Sequence, residues 1–196
     1  MNRASLLIAA LTVTLATGCT GTPPAPAPDP SSATPDPSAV VDSLLARPLT
    51  APTLAAGEPC PTSPTVEHSP VVQPADARGL GNAPIYPIAF YAGTGAVPLP
   101  TETDATEGLY WLKVVWASSD DYEGPVLVRI VRVDGPGRAV IRLSYSKAAS
   151  RGDGVLFDVT RTPSDWPSGT YVSGPGCYAY QIDGVGFTEH VYLTIR

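Results

Sequence analysis

Residues Arg138–Ser146 read RAVIRLSYS, and their side chains follow a period of two. Ala139, Ile141, Leu143 and Tyr145 alternate with a second set that contains both arginines and both serines. Because successive side chains of a strand point to opposite faces, this period predicts a half-buried β-strand rather than a helix. We expect the first set to face the core.

Six further stretches show the same period, with turn-forming glycine, proline and aspartate residues between them. No helical pattern of about ten residues interrupts them, which argues against a parallel α/β sheet. About seven short strands at hairpin spacing predict an all-β, antiparallel β-sandwich. The six further candidates are Ile85–Tyr91, Leu109–Ala117, Val126–Val133, Val155–Thr160, Tyr178–Ile182 and Phe187–Ile195.

The candidate strand Leu109–Ala117 carries two of the three tryptophans on opposite faces. Trp116 shares its face with Leu112 and Val114, so we expect it in the core. Trp111 lies on the other face, and we expect it at an exposed or edge position.

Composition limits the class of protein. The chain has 196 residues, of which 43% are hydrophobic and 15% charged, so most of it can fold as one domain with extensions. Its formal net charge is −6. An acidic chain lacks the positive footprint that nucleic-acid binding or electrostatic docking on an anionic membrane requires. The 23 prolines and 18 glycines disfavour a helical bundle.

Residues 1–19 have the pattern of an export signal. Arg3 precedes the apolar run Leu6–Ala16, which is too short to span a membrane but has the length of a signal-peptide core. The small residues before Cys19 resemble a bacterial lipobox. The resemblance implies a lipoprotein signal peptide over residues 1–18, a lipid on Cys19 and a protein anchored on the extracytoplasmic side of the cell membrane. An ordinary secretory signal with an incidental cysteine is the alternative.

Residues 19–57 are dense in proline and alanine and contain no aromatic residue. Such a segment buries too little apolar surface to offset its ordering entropy. We therefore expect a disordered, extended tether that begins at the lipidated Cys19 and precedes a folded domain over residues 58–196. Within it, Ser38–Arg47 has helical spacing but is too short to be stable alone.

Two cysteines remain when Cys19 carries the lipid. In an oxidising compartment, Cys60 and Cys177 are expected to form a disulfide, with two unpaired thiols as the alternative. The chain has no C-x-x-C motif and no Cys/His cluster with zinc spacing. His68 and His190 stand alone, and we expect each to be solvated or hydrogen-bonded rather than bound to a metal.

Two stretches resemble a known family. Asp121–Arg129 reads DYEGPVLVR, and Gly174–Gly184 reads GPGCYAYQIDG and leads into Phe187–Glu189. Together with the early pair Cys60–Pro61, they resemble the uncharacterised immunoglobulin-like lipoproteins of high-GC Gram-positive bacteria. The resemblance implies an immunoglobulin-like β-sandwich and assigns no catalytic residue.

Signatures of catalysis are missing from the sequence. It has no G-x-S-x-G, no S-x-x-K and no phosphate-binding glycine loop that opens a helix. We therefore expect no enzymatic activity, no cofactor and no metal. Two acidic clusters lack EF-hand spacing and are interpreted as solvated loops, and an Arg-Gly-Asp tripeptide over 151–153 as a turn. The clusters are Glu102, Asp104 and Glu107, and Asp120, Asp121 and Glu123.

Arg129 and Arg142 carry a surface feature with a ligand-binding interpretation. If Asp134–Gly137 closes a four-residue hairpin, Arg129 lies opposite Arg142 on the face away from the core, where like charges repel. In an acidic protein, this placement indicates a nearby carboxylate or an anionic ligand. Together with Trp111, the two arginines form a candidate surface ligand site. Pairing with an acidic loop of the same chain is the alternative.

These observations favour a non-catalytic module, anchored in the membrane through Cys19, that binds a protein or another envelope component as a monomer. A cell-envelope enzyme or metal-dependent module is the first alternative, and a pocket that gathers His68 or His190 with two carboxylates would favour it. A carbohydrate-binding module is the second, and a flat exposed row of aromatics that includes Trp111 and Trp166 would favour it.

Overall fold

The computed structural model describes residues 36–66, 78–89, 96–101, 103, 107–119, 122–143, 149–151, 154–160 and 165–196. Within these residues the chain forms one helix and twelve strands. They are α1 (Pro37–Leu45), β1 (Thr65–Val66), β2 (Arg78–Leu80), β3 (Ile85–Ala89), β4 (Ala96–Val97), β5 (Tyr110–Ser118), β6 (Gly124–Arg132), β7 (Ala139–Leu143), β8 (Ala149–Arg151), β9 (Gly154–Val159), β10 (Asp165–Val172), β11 (Gly176–Gly184) and β12 (Phe187–Ile195).

The strands form two six-stranded sheets. The first sheet has the order β1-β2-β3-β5-β10-β7, and the second has the order β4-β12-β11-β6-β9-β8. Neighbouring strands are antiparallel except β4 and β12, which are parallel. Side chains from both sheets meet in one apolar cluster, so the predicted all-β sandwich is confirmed.

Aromatic side chains fill the centre of that cluster. The Trp116 ring lies 5.0 Å from the Tyr180 ring in an edge-to-face arrangement and 5.8 Å from the Phe157 ring. The Tyr180 hydroxyl is 2.7 Å from Thr170 Oγ1, which satisfies two buried polar groups at once. Burial raises the pKa of Tyr180, against the smaller opposing effect of the bond with Thr170. The prediction that Trp116 lies in the core is confirmed.

The central strand β10 is absent from the predicted set because its sequence includes Pro167, Ser168 and Gly169, which are poor strand formers. The strand tolerates Pro167 because of where this residue pairs in the sheet. Among the described residues, Pro167 has a paired residue on β5 alone, so its missing N–H interrupts no second ladder. Pro87 in β3 and Pro125 in β6 are likewise paired on one side only.

The predicted hairpin between β6 and β7 is wrong. β6 belongs to the second sheet and β7 to the first, so the residues between them cross from one sheet to the other. Both strands alternate apolar and polar side chains, and both bury their apolar set in the same core. A strand with this alternation can bury its apolar side chains in the core from either sheet, so the alternation does not show which strands pair. In the structure, Arg129 and Arg142 are not cross-strand neighbours.

Residues 36–63, which we call the strap, cover part of the outer face of the second sheet, over β6, β11 and β12. Among the described residues, contacts group the chain from residue 36 to residue 196 into one unit, which therefore includes about twenty residues of the segment that the sequence assigns to the tether. Two isolated leucines of the strap, Leu44 and Leu54, are buried. Leu54 also donates its backbone N–H to the carbonyl of Val133 at 2.7 Å. Apolar surface supplied by distant strands orders a segment whose own composition favours disorder.

Capping supports the helix of the strap. Asp36 precedes Pro37 at the first helical position, and its carboxylate accepts the Ser38 backbone N–H at 2.9 Å and the Ser38 hydroxyl at 2.7 Å. These bonds, with the hydroxyl bond the stronger, lower the pKa of Asp36. Leu44, 1% exposed, anchors the other end of this nine-residue helix, which is too short to persist alone.

Candidate functional site

A polar cluster lies on the outer face of the second sheet, beneath the strap. β11 places Gln181 and Asp183 on that face, and strand register sets Arg129 of β6 and His190 of β12 directly beside Gln181. Asp183 is fully buried and Gln181 is 1% exposed. Asp183 accepts bonds from Arg129 Nη2 at 2.7 Å, Gln181 Nε2 at 2.9 Å and Thr188 Oγ1 at 2.7 Å.

Strap atoms complete this cluster. Arg129 Nη1 donates to the carbonyl of Arg47 at 2.8 Å, and Gln181 Nε2 donates to the carbonyl of Pro48 at 2.9 Å. The Thr50 backbone N–H donates to Gln181 Oε1 at 2.6 Å. Both carboxylate oxygens of the buried aspartate and the amide of Gln181 are thus occupied by the protein itself. The cluster clamps the strap to the sheet and offers no open coordination position.

His190 takes part in the same network. Its Nε2 atom is 3.3 Å from Gln181 Oε1 and 3.4 Å from Thr50 Oγ1. The expectation of a hydrogen-bonded histidine therefore agrees with its surroundings. His68 lies outside the described residues. In the part of the chain that the structure describes, no group of three or more His, Cys, Asp or Glu side chains is placed to hold a metal ion.

The structure separates the two arginines of the predicted surface site. Arg129 pairs with Asp183 across 2.7 Å in the second sheet. Arg142 in the first sheet pairs with Glu107, and its guanidinium lies 4.7 Å from the centre of the Tyr171 ring. Each arginine has a carboxylate of its own chain, which is the alternative that the sequence left open. No single anion site contains both.

The structure does bring Arg142 and Trp111 to one surface. On β10, Tyr171 pairs with Trp111 of β5, and Gly169 pairs with both Lys113 of β5 and Arg142 of β7. These five residues share the outer face of the first sheet, and we call them the Trp111 face. Trp111 is 38% exposed. Tyr171 and Gly169 were not found from the sequence because β10 was not predicted, whereas Lys113 lies two residues after Trp111 on a strand that was predicted.

Gly169 allows the indole to lie against the sheet. A Cβ atom at this position would stand 2.3 Å from Trp111 Nε1 and 2.8 Å from a ring carbon of Tyr171. Both distances are too short for any side chain to share the space. Glycine therefore lets the two aromatic rings approach the backbone of β10.

A groove of about 240 Å³ runs beside this face. Residues 97–101 form one wall, and residues 111–113 form the other. The first wall is fixed to the end of the chain, because Leu99 donates its backbone N–H to the Arg196 carbonyl at 2.7 Å and Arg196 donates back to Val97 at 3.0 Å. The exposed indole of Trp111 therefore borders a groove with a rigid wall.

A second groove, of about 350 Å³, separates β6 from β7. Three arginines line it, and each has a carboxylate partner: Arg129 has Asp183, Arg132 has Asp134 and Arg138 has Glu107. Burial alone would raise the pKa of Asp134, but hydrogen bonds from Arg132 and from the backbone together lower it. The guanidinium charges are compensated within the protein, so this groove is not an anion site ready for a ligand.

The predicted disulfide is present between Cys60 and Cys177, with 5.4 Å between their Cα atoms. Its place in the sandwich is unexpected. Cys177 lies on the outer face of β11, in a small apolar cluster with Leu54, Val133 and Ala179. The bond therefore joins the strap to the second sheet and does not link the two sheets through the core.

Trp166 and Glu107, which the sequence singled out, lie in surroundings that differ from those expected. Trp166 is partly buried and packs 5.2 Å from Phe157, so it belongs to the edge of the core and not to an exposed row. Glu107 of the first acidic cluster pairs with Arg138 and Arg142. Residues outside the described ranges include Cys19 and the rest of the signal, Glu102, Asp104, Asp120, Asp121, Gly152 and Asp153.

Comparison of the chain with protein-family models, curated proteins and solved structures finds no match. Within the described residues, no helix has the length and apolar character needed to cross a membrane. The two outer faces of the sandwich therefore differ: the strap covers part of one, and the other presents an exposed tryptophan beside a groove.

Proposed function

We propose that the protein is a non-catalytic binding module of the cell envelope, held on the extracytoplasmic side of the membrane by a lipid on Cys19. The Trp111 face binds its partner. One observation carries this choice of surface: the strap covers part of the outer face of the second sheet, whereas the outer face of the first sheet presents Trp111.

Exposure and preorganisation support the Trp111 face. Tryptophan, tyrosine and arginine are the residues that most often dominate binding energy at interfaces, and here they lie side by side. The absence of a side chain at Gly169 leaves room for the indole to lie close to the backbone of β10 before any partner arrives. A side chain that is already ordered loses little entropy on binding.

The occupied polar cluster beneath the strap supports a non-catalytic role. A general base needs a carboxylate or imidazole within reach of a substrate proton. Asp183 is fully buried and accepts three side-chain hydrogen bonds from its own chain, and the strap lies over it. His190 is shared between Gln181 and Thr50. We assign these groups to anchoring the strap.

Anchoring and binding are tested separately. Metabolic palmitate labelling of wild type and Cys19→Ala tests the lipid, and we expect label in the wild type only. Equal labelling would remove the anchor from the proposal and leave the binding face untouched.

Capture from crosslinked cells tests the face. We expect Trp111→Ala to lose the material that co-purifies with wild type, and Leu49→Ala to keep it. Leu49 is the matched control because it is also an exposed apolar side chain, but it lies on the strap beside the second groove. Loss in Leu49→Ala with retention in Trp111→Ala would move the binding site to the second groove.

A further inference from the structure

The exposed apolar surface that the described residues contribute near Trp111 is small. Among the described residues, the exposed large hydrophobic side chains are Leu45, Leu49, Trp111 and Val185. Trp111 is the one on the first sheet, since Leu45 and Leu49 belong to the strap and Val185 to the turn after β11. A stable protein interface buries about 800 Å² on each partner around an apolar centre. One indole does not provide such a centre, which disfavours a folded protein as the partner.

A sugar ring needs a surface of this size. One face of a pyranose presents C–H groups, which pack on an aromatic ring, while its rim carries hydroxyl groups that require hydrogen bonds. The indole of Trp111 supplies the aromatic surface, and its pyrrole edge is seated on Gly169. The guanidinium of Arg142 on the same face and the Glu107 carboxylate bonded to it supply the polar groups.

The polar groups are held in place. Arg142 lies over the Tyr171 ring and is bonded to Glu107. Charged groups with fixed geometry bind a hydroxyl-rich ligand at a lower entropic cost than flexible ones. The groove of about 240 Å³ continues from Trp111 along residues 97–101, so a ligand stacked on the indole has room for a neighbouring unit.

We infer that the Trp111 face binds a polysaccharide of the cell envelope, with one pyranose ring stacked on Trp111 and the chain continuing into the groove. The inference rests on the proposed function, because it names the chemical class of the partner for the same face. A protein partner is the competing outcome, and the experiment below separates the two.

The probe is purified peptidoglycan sacculi, in two preparations: with their covalently attached polymers and after removal of those polymers by acid. The mature protein with its disulfide intact is pelleted with each. We expect wild type to bind and the affinity of Trp111→Ala to be lower by a factor of at least about ten, as for a dominant tryptophan contact. Binding to stripped sacculi assigns the glycan backbone, and binding to intact sacculi alone assigns the attached polymers.

Two further variants show whether a loss of binding comes from a folding defect. Gly169→Ala keeps the indole but displaces it, because the new Cβ would stand 2.3 Å from Trp111 Nε1, and we expect weaker binding at an unchanged circular dichroism spectrum. Leu49→Ala is expected to bind as wild type. Fluorescence gives an independent readout, since Trp111 is the exposed one of the three tryptophans and bound glycan should shield it from acrylamide.

Equal pelleting of wild type and Trp111→Ala would overturn the inference, as would failure of both sacculus preparations to bind wild type. If cells yield a Trp111-dependent partner that protease removes while sacculi bind nothing, the polysaccharide is wrong and the proposed binding face stands. If no captured material depends on Trp111, the proposed function fails as well.

Discussion

Removal of the Asp183 carboxylate should release the strap. In Asp183→Ala, the Arg129 guanidinium loses the partner that it meets at 2.7 Å, although its side chain stays only 17% exposed. Loss of one partner from a buried ion pair costs about 3–5 kcal/mol, because the other charge stays desolvated. The bonds from Gln181 and Thr188 belong to the same network, so their losses are not additive to this cost.

Denaturant unfolding with the disulfide intact measures the change. We expect Asp183→Ala to lower the free energy of unfolding by about 3–5 kcal/mol and the control Thr188→Ala by about 1 kcal/mol, because the latter removes no charge and only the hydroxyl's bond to Asp183 and its long bond, 3.5 Å, from Arg47. Hydrogen exchange gives the local readout. The Thr50 N–H, bonded to Gln181 at 2.6 Å, should exchange faster in Asp183→Ala than in wild type.

A double variant separates charge from packing. Arg129→Met with Asp183→Leu removes both members of the closest pair and leaves Arg47, 3.8 Å from Asp183, as the remaining charge, with its side chain 29% exposed. Stability should therefore recover relative to Asp183→Ala. A change below about 1 kcal/mol in Asp183→Ala, or a Thr50 N–H that exchanges as in wild type, would refute the view that this cluster holds the strap.

Three further predictions concern the strap and the second groove. Replacement of Cys60 and Cys177 by serine opens a loop of 117 residues, and we expect a loss of at most about 4–5 kcal/mol in thermal or denaturant unfolding. Leu44→Ala should cost about 2–3 kcal/mol, whereas Leu45→Ala, exposed on the same helix, should stay within about 0.5 kcal/mol of wild type. Asp134→Asn should lower stability by at most about 1 kcal/mol near pH 6, and the difference should disappear as the pH falls below the ordinary aspartate pKa of 3.8 and through the lowered pKa of Asp134, because a carboxyl with a lowered pKa loses its stabilising effect as it becomes protonated.

Strand periodicity predicted the strands that bury every second side chain in the core. β5, β6 and β12 begin and end within about two residues of the expected stretches, because each buries every second side chain in the same core. The opposite exposures of Trp111 and Trp116 followed from the same rule. Alternation does not state which sheet a strand joins, and for this reason the partners of β6 and β7 could not be predicted.

The strap and β10 could not be predicted from the sequence, for a different reason. Leu44 and Leu54 lie in a segment rich in proline, and the surfaces that bury them come from strands more than seventy residues away. Gly169 looks like a strand breaker until Trp111 is known to lie over it. Local composition indicates secondary-structure propensity, whereas the strap and β10 depend on non-local contacts that a single sequence does not reveal.

Site-specific photo-crosslinking in growing cells tests the choice of binding face most directly. A crosslinking amino acid replaces Lys113 on the Trp111 face in one variant and Thr188, exposed on the second sheet, in the other. We expect adducts with envelope material from position 113, lost when Trp111→Ala is added, and none from position 188. Adducts from position 188 alone, or adducts from position 113 that persist without the indole, would contradict this choice of binding face.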